Sequence, residues 1–168
     1  MITITTEPYD SAVGVALVHG LMQELNDRYA AIDDPADLDA PGDDDYLAEL
    51  TPELASPPHG TFLVAWLDGD PAGCGALKPL DSDPSVGEIK RMYTAPTARR
   101  RGVSRALLVR LEVAAVELGY TRLQLETGTA QPEAVALYES HGWHRITAYG
   151  LYKSSPESVC FAKELGSP

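Results

Sequence analysis

Apolar side chains recur along this chain with two periods, and the two periods predict alternating strands and helices. Short apolar runs predict strands at Ile2–Thr5, Thr61–Leu67, Gly73–Leu80, Val86–Thr94, Tyr120–Glu126, Trp143–Tyr149 and Ser158–Glu164. Apolar residues three and four apart predict helices after a cap at Asp10 or Ser11 and at Tyr46–Leu54, Ser104–Leu118 and Pro132–His141. Asp33–Asp45, with two prolines and a glycine, is predicted to be a loop.

The order of these elements predicts an α/β fold (α+β in its strand pairing) with a mixed sheet. Asp68–Pro71 has the composition of a tight hairpin turn, so the two strands beside it are expected to be antiparallel. Only the strand–helix–strand stretch of residues 86–126 requires a parallel pair. The sequence shows neither an internal repeat nor a long linker, so residues 1–168 are expected to form one domain.

Composition favours a soluble protein. The 168 residues are 44% hydrophobic, and no apolar run approaches the roughly 20 residues that cross a membrane. The N-terminus lacks the basic and apolar blocks of a signal peptide, and Cys74 and Cys160 do not make a disulfide framework. We therefore expect a cytoplasmic protein without membrane partners. The four histidines show no metal-ligand spacing, so no metal site is expected.

The net charge of −12 is unevenly distributed. Residues 29–77 contain eleven acidic residues and no Lys or Arg, whereas residues 78–168 contain twelve basic and ten acidic residues. The overall acidity argues against nucleic acid as a partner. The acidic segment is interpreted either as a solvated loop or as a surface that attracts a cationic amine.

The basic residues concentrate at a strand-to-helix junction, Arg99–Ser104. The first turn of a helix leaves backbone N–H groups without partners and carries a partial positive charge. A glycine at position 102 lets an anion approach the backbone closely. The run is therefore interpreted either as a pyrophosphate-binding site or as a solvated charge stripe.

Residues 86–142 contain two sequence blocks about thirty residues apart. Arg99, Gly102 and Ser104 fit the pattern Q/R-x-x-G-x-G/A, with Ser104 a departure at the last position, and Gln131–Trp143 is similar to N-x-x-A-x-x-L-Y-x-x-x-G-F. In both blocks the chain resembles the GCN5-related N-acetyltransferase (GNAT) superfamily. Gln131 stands where Asn is usual and Trp143 where Phe is usual. Two such blocks, in this order on these elements, are a strong family signal.

The resemblance implies a GNAT fold: a mixed, mainly antiparallel sheet of six to seven strands, flanked by about four helices and splayed between the fourth and fifth strands. It implies an acetyl-CoA-dependent N-acetyltransferase acting on a primary amine of a small molecule or an aminoacyl terminus. Gly73–Leu77, Gly87–Lys90 and Leu125–Gly128 are similar to a bacterial subgroup of small-molecule acetyltransferases, some labelled for indole-3-acetate. A non-catalytic acyl-CoA-binding or sensing module is the alternative.

The resemblance also implies where acetyl-CoA binds. The pantetheine arm is expected to pair with the backbone of Met92, Tyr93 and Thr94, as an added strand does. The pyrophosphate is expected on the amides of Arg100, Arg101, Gly102, Val103, Ser104 and Arg105. Side chains of Arg99, Arg100 and Arg105 are expected to assist, and that of Arg101 to point into water. Gln131 is expected to bond the pantetheine or the backbone beside it.

The implied chemistry is direct attack of an amine on the acetyl carbonyl, through a tetrahedral intermediate. Such a reaction needs a base for the amine proton and an acid for the leaving thiolate. Tyr138 is the candidate acid, because the family commonly has a tyrosine there and a phenol is similar to a thiol in acidity. An amphipathic tyrosine of the core is the competing interpretation. Glu88 is the first candidate base, with Glu126 or a water chain as alternatives. Ion pairing with a lysine or arginine is the competing interpretation for both carboxylates.

Strand alternation predicts which side chains of the fourth strand share a face. Glu88, Lys90 and Met92 are expected on one face of the sheet. Ile89, Arg91 and Tyr93 are expected on the other.

Acceptor selection is expected to fall to Leu25–Leu54 and Tyr149–Ser158, since the family uses the first helix, the loop after it and the loop between the last two strands. Candidate residues for an apolar acceptor pocket are Tyr29, Tyr46, Trp66, Tyr149 and Tyr152. Transfer to a hydroxyl and the use of longer acyl donors stay open. A homodimer is expected by analogy with the fold.

Overall fold

Seven strands form a mixed sheet in a computed structural model that describes residues 1–30 and 43–166. The strands are β1 (Ile2–Thr6), β2 (Thr61–Leu67), β3 (Asp70–Leu80), β4 (Asp83–Thr94), β5 (Arg122–Gly128), β6 (His144–Ile146) and β7 (Ser158–Glu164). Their spatial order is β1-β2-β3-β4-β5-β7-β6, and among these strands only β4 and β5 run parallel. The predicted mixed, mainly antiparallel sheet is confirmed.

Helices cover both faces of this sheet. They are α1 (Ala12–Tyr29), α2 (Asp43–Ala48), α3 (Val103–Glu117) and α4 (Pro132–Ser140), with a 3₁₀ turn at Pro96–Ala98. Of the predicted caps for α1, Ser11 is the one found, and its hydroxyl accepts from the Gly14 amide. None of the described helices has the length and apolarity needed to cross a membrane.

The core consists of two apolar layers separated by the sheet. In β2, Phe62 and Val64 pack toward α1, whereas Leu63 and Ala65 pack toward α3. All four side chains are fully buried, because a central strand is covered on both faces. The turn after β2 has positive φ at Asp68 and Gly69, as a two-residue hairpin of the predicted kind requires.

The sheet opens between β4 and β5. The two strands pair only where Gly87–Ile89 lies beside Leu123–Leu125. Beyond Ile89, the segment Lys90–Thr94 pairs with β3 on one side and with no described strand on the other. The expected splay between the fourth and fifth strands is therefore confirmed, and it leaves an unpaired backbone edge.

A β-bulge in β4 changes which side chains share a face. Cys74 pairs with Tyr93 and Ala76 with Lys90, so the two residues between them, Arg91 and Met92, oppose a single residue of β3. Arg91 has φ +59° and lies on the α1 face with Lys90, whereas Met92 packs into the α3 layer. The predicted strict alternation is wrong at this point, because the extra residue shifts the period.

Two of the predicted elements also differ in extent from those found. The helix predicted at Tyr46–Leu54 is found at Asp43–Ala48, which places aspartates at the positive end of the helix and ends it before Pro52. The strand predicted at Trp143–Tyr149 is limited to His144–Ile146, because the chain leaves the sheet before a turn at Gly150, whose φ is +77°. Most of the predicted loop Asp33–Asp45 lies outside the described residues.

Candidate functional site

Six consecutive backbone amides at the start of α3, those of Arg100 to Arg105, donate to no acceptor within the described chain. Two residues just before the helix have left-handed backbone conformations: Arg100 has φ +58° and Gly102 has φ +84°. They turn the chain into the first residue of α3. The first amide to bond is that of Ala106, 3.0 Å from the Gly102 carbonyl. Gly102 faces open space, since a Cβ there would meet only Ile2 Cδ1, at 4.0 Å. This geometry is that of an anion-binding cradle.

Two of the four arginine side chains have protein partners. Arg99 donates to the Thr94 carbonyl over 3.3 Å and pairs with Glu24 of α1. Arg101 lies 3.5 Å from Asp68, and both side chains are more than half exposed. Arg101 thus points outward, as expected, with a weak ion pair rather than water alone.

The remaining residues of the cradle divide between surface and core. Arg100 and Arg105 are exposed, and no acidic residue in the described ranges lies within 4 Å of either guanidinium. Val103 is buried under the helix, and Ser104 is half-buried. Only the backbone of Val103 can therefore reach a ligand.

The unpaired edge of β4 lies beside the cradle. Met92 and Tyr93 turn their side chains into opposite layers of the core, which leaves backbone groups to face the opening. Tyr93 approaches α1 at Gly20, where a Cβ would lie only 2.9 Å from its hydroxyl. An open cavity of about 440 Å³ lies here, lined in part by Gly20, Tyr93 and Arg99.

Tyr138 lies on the inner side of α4 and is 4% exposed. Its ring packs against Trp143 and Phe161, with centroids 5.9 and 5.7 Å away. Burial raises the pKa of Tyr138 above the usual range of a phenol, so the group keeps its proton at physiological pH. The Tyr46 phenol acts in the same direction.

Gln131 lies at the N-terminus of α4, but its side chain does not cap the helix. Its amide nitrogen donates to the Tyr29 hydroxyl over 3.3 Å. Arg28 reaches the same loop, donating to the Ala130 carbonyl over 2.8 Å and pairing with Glu133. The last turn of α1 therefore holds the β5–α4 connection, and Gln131 belongs to that contact.

Glu88 is a buried member of a polar network, 3% exposed. Its Oε1 accepts from the Tyr149 hydroxyl over 3.1 Å and lies 3.5 Å from Lys90 Nζ. Its Oε2 lies 3.5 Å from Lys78 Nζ, on the residue that pairs with Glu88 across β3 and β4. Burial and the Glu88 carboxylate raise the pKa of Tyr149, so the phenol donates to Glu88. The ion-paired arrangement that competed with a base role is the one found.

Glu126 lies near the end of β5 and is less encumbered. Its Oε1 accepts from the Ser158 hydroxyl over 2.7 Å, and no described residue donates to its Oε2. Burial raises the pKa of Glu126, and the carboxylates of Glu49 and Glu88 act in the same direction. The Ser158 bond and the Lys90 charge oppose this shift. The result is a partly accessible carboxylate whose pKa is moved toward neutrality, as a base requires.

Sequence reasoning missed part of this polar network. Lys78 was hidden within an apolar strand, and it is 1% exposed between Asp81 and Glu88. The predicted alternation places Arg91 on one face with Ile89 and Tyr93, but it shares only the face of Tyr93 and is 2% exposed beside Tyr9 and Tyr46. The available signal was the concentration of charge in the otherwise apolar segment 86–94.

The aromatic residues expected at the acceptor site separate into two groups. Tyr46 and Tyr152 approach each other, with ring centroids 6.5 Å apart, and Tyr149 reaches Glu88. Trp66 instead lies on β2, where its indole donates to Thr5 of β1 over 2.8 Å, away from the opening. Part of the expected acceptor segment Leu25–Leu54 lies outside the described residues. Among the residues that are described, no cluster of His, Cys, Asp and Glu could hold a metal ion.

The model of the Acetyltransferase (GNAT) family matches residues 18–143, which contain the cradle, the sheet opening and α4. The chain belongs to this family. It is 35% identical to the IAA acetyltransferase of Azospirillum brasilense over 165 residues, 98% of each chain. The GNAT chain is therefore an acyltransferase.

Solved structures agree with the GNAT fold. A Klebsiella pneumoniae protein assigned as an acyl-CoA N-acyltransferase has a TM-score of 0.75 and 29% identity, and 99% of each chain is covered. A GNAT acetyltransferase of Elizabethkingia anophelis, solved with acetyl-CoA bound, has a TM-score of 0.64 and 20% identity, with 98% of each chain covered. The second likeness concerns the fold alone.

Proposed function

We propose that this GNAT chain transfers an acetyl group from acetyl-CoA to a primary amine of a small molecule or an aminoacyl terminus. The observation that carries the proposal is the six free amides of residues 100–105 beside the unpaired β4 edge. One anion-binding cradle and one free strand edge, in continuity, match the two halves of a CoA molecule: a pyrophosphate and an amide-bearing arm.

The residues present fit acetyl-CoA. The amides of Arg100 to Arg105 hold the pyrophosphate, with side chains of Arg99, Arg100 and Arg105 as additional donors. Backbone groups of Met92, Tyr93 and Thr94 bond the pantetheine amides. When bound, acetyl-CoA supplies an activated thioester. The side chain of Gln131 donates to the Tyr29 hydroxyl. We therefore propose that Gln131 stabilises the β5–α4 loop and does not contact acetyl-CoA directly.

We assign the acid to Tyr138. A general acid must carry its proton before the step, as a phenol does at physiological pH. Burial raises the pKa of Tyr138 and so makes it a weaker acid, and the assignment therefore rests on its place on the inner side of α4 and not on this shift. Its ring is held by Trp143 and Phe161, which fixes the direction of the hydroxyl. Tyr138 would donate this proton to the departing sulfur.

We assign the base to Glu126 rather than Glu88. A base must offer a lone pair to the amine or to an intervening water, and Glu88 already receives Tyr149 and lies near two lysines. Glu126 has one oxygen without a described donor, and its raised pKa improves its basicity. Glu88 then holds Tyr149 and Lys90 in place.

The pH dependence of kcat/KM for Glu126→Gln and Glu88→Gln tests this assignment. Glu126→Gln should lower kcat/KM by about 100-fold or more and remove the acidic limb, since a glutamine cannot accept the proton. Glu88→Gln should keep the acidic limb and lose thermal stability, because Lys78 and Lys90 lose a buried counter-charge. Loss of the limb in Glu88→Gln alone would move the base to Glu88, and its survival in both variants would indicate a water chain.

A further inference from the structure

Arg91 is a buried cation with no carboxylate partner among residues 1–30 and 43–166. It is 2% exposed and lies in the β4 bulge, on the α1 face of the sheet. Its Nε donates to the Tyr9 hydroxyl over 3.4 Å and its Nη2 to the Tyr46 carbonyl over 2.6 Å. Its guanidinium lies over the Tyr46 ring, 3.8 Å from the centroid. Nη1 is buried, and no residue in the described part of the chain accepts a hydrogen bond from it.

The two other buried cations of β3 and β4, Lys78 and Lys90, both have carboxylate partners. Lys78 lies between Asp81 and Glu88, and Lys90 between Glu49 and Glu88. No carboxylate in the described ranges lies within 4 Å of the Arg91 guanidinium. A buried charge ordinarily has a paired counter-charge, and an unbonded donor on it is uncommon. Arg91 is therefore prepared for an anion that the described chain does not supply.

The position of Arg91 connects this anion to the acceptor. Ile89 is the last β4 residue paired with β5, opposite Leu125. Arg91 and Glu126 follow this pair on neighbouring strands, which begin about 5 Å apart and then diverge. Both lie on the α1 face, since Arg91 contacts Tyr9 and Glu126 alternates with Leu125 of the α3 layer. A small molecule whose amine is near Glu126 would thus have its other end within reach of Arg91.

We propose that the acceptor is an amine that also carries a carboxylate, of the amino acid type, and that Arg91 binds this carboxylate. The inference rests on the proposed function and names the acceptor class of that same site. The planar guanidinium offers its free Nη1 to the carboxylate, while Tyr9 and Tyr46 hold the rest of the group. Arg91 is a specificity residue and takes no part in proton transfer.

The test compares L-amino acids with the corresponding amino acid amides as acceptors, in the wild-type enzyme and in Arg91→Gln and Arg91→Lys. The wild type should prefer the carboxylate form by about 10- to 100-fold in kcat/KM, as a site built to bond one group rejects the analogue that lacks it. Arg91→Gln should bring this ratio close to one with an unchanged Kd for acetyl-CoA. Arg91→Lys keeps the charge without the planar fork, so its ratio should be intermediate.

A binding measurement makes the inference independent of turnover. Calorimetry would measure the Kd of the reaction products, N-acetyl amino acids, and of the corresponding amides, for the enzyme with CoA present. Preferential binding of the carboxylate, lost in Arg91→Gln, supports the inference. An equal ratio in the wild type and the variants, or no carboxylate preference in either assay, overturns it. Efficient acetylation of simple amines without such a preference would leave the proposed function intact, which separates the two failures.

Discussion

Replacement of Gly102 by valine tests whether the backbone at the start of α3 is what holds the pyrophosphate. Gly102 has φ +84°, a conformation that a β-branched residue adopts only with strain of roughly 1–3 kcal/mol. No clash adds to this strain, since the nearest atom to a Cβ is Ile2 Cδ1 at 4.0 Å. The chain can relieve the strain only by turning away from the left-handed region, which redirects the amides of residues 100–105.

The expected loss of affinity follows from those amides. A hydrogen bond to a charged group contributes roughly 1.5–3 kcal/mol, so the loss of one should weaken acetyl-CoA binding by about 10- to 150-fold. Gly119 supplies the matched control, because it lies just beyond the other end of α3 with φ +90° and no atom within 4 Å of a Cβ. Gly119→Val should therefore lose similar stability while keeping its affinity for acetyl-CoA.

The assay is calorimetric titration with acetyl-CoA beside thermal unfolding of both variants. Both should unfold at a Tm lower by several degrees, about 2–4 °C for each kcal/mol of strain. Only Gly102→Val should bind acetyl-CoA more weakly. Equal affinity in the wild type and Gly102→Val would refute the cradle, and equal weakening in both variants would show that the effect is one of stability.

Four further variants test single groups. Tyr138→Phe keeps the ring contacts and removes the proton donor, so kcat should fall about 100-fold at an unchanged Kd for acetyl-CoA; an unchanged kcat across the pH range would contradict the acid role. Ser158→Ala removes a hydrogen bond that lowers the pKa of Glu126, so the acidic limb of kcat/KM should move to higher pH. A shift to lower pH would contradict the assignment of Glu126 as the base. Arg99→Ala should weaken acetyl-CoA binding about tenfold. Arg101→Ala should change the affinity less than about twofold, because Arg101 is exposed and pairs with Asp68. Equal effects of the two variants would argue against a specific role of Arg99.

The sequence alone predicts the order and type of most elements, and it points to the run of free amides before α3, whose role in binding stays a prediction. Local signals carry this information: the period of the apolar residues, the hairpin at Asp68 and Gly69, and the arginine–glycine run before α3. The cradle depends on a few consecutive residues, so its backbone geometry follows from a short stretch of chain. The same holds for α4, where Tyr138 lies on the buried side.

Contacts between distant segments could not be predicted in this way. The bulge at Arg91 lies opposite Gly75 of the neighbouring strand, where a Cβ would lie 2.8 Å from both Met92 Sδ and Leu111 Cδ1. Glu88 meets Lys78 through the strand register and Tyr149 through a contact 61 residues away in sequence. These partners separate a paired carboxylate from an available one, so the choice between Glu88 and Glu126 required the structure.

Acceptor-dependent release of free thiol from acetyl-CoA, measured over a panel of amines with the acetylated product identified by mass, tests the central claim most directly. We expect thiol release that depends on the amine, one acetyl group added per thiol, and a loss of about 100-fold in Glu126→Gln and Tyr138→Phe. Micromolar binding of acetyl-CoA without turnover of any amine would contradict the claim and indicate an acyl-CoA-binding module instead.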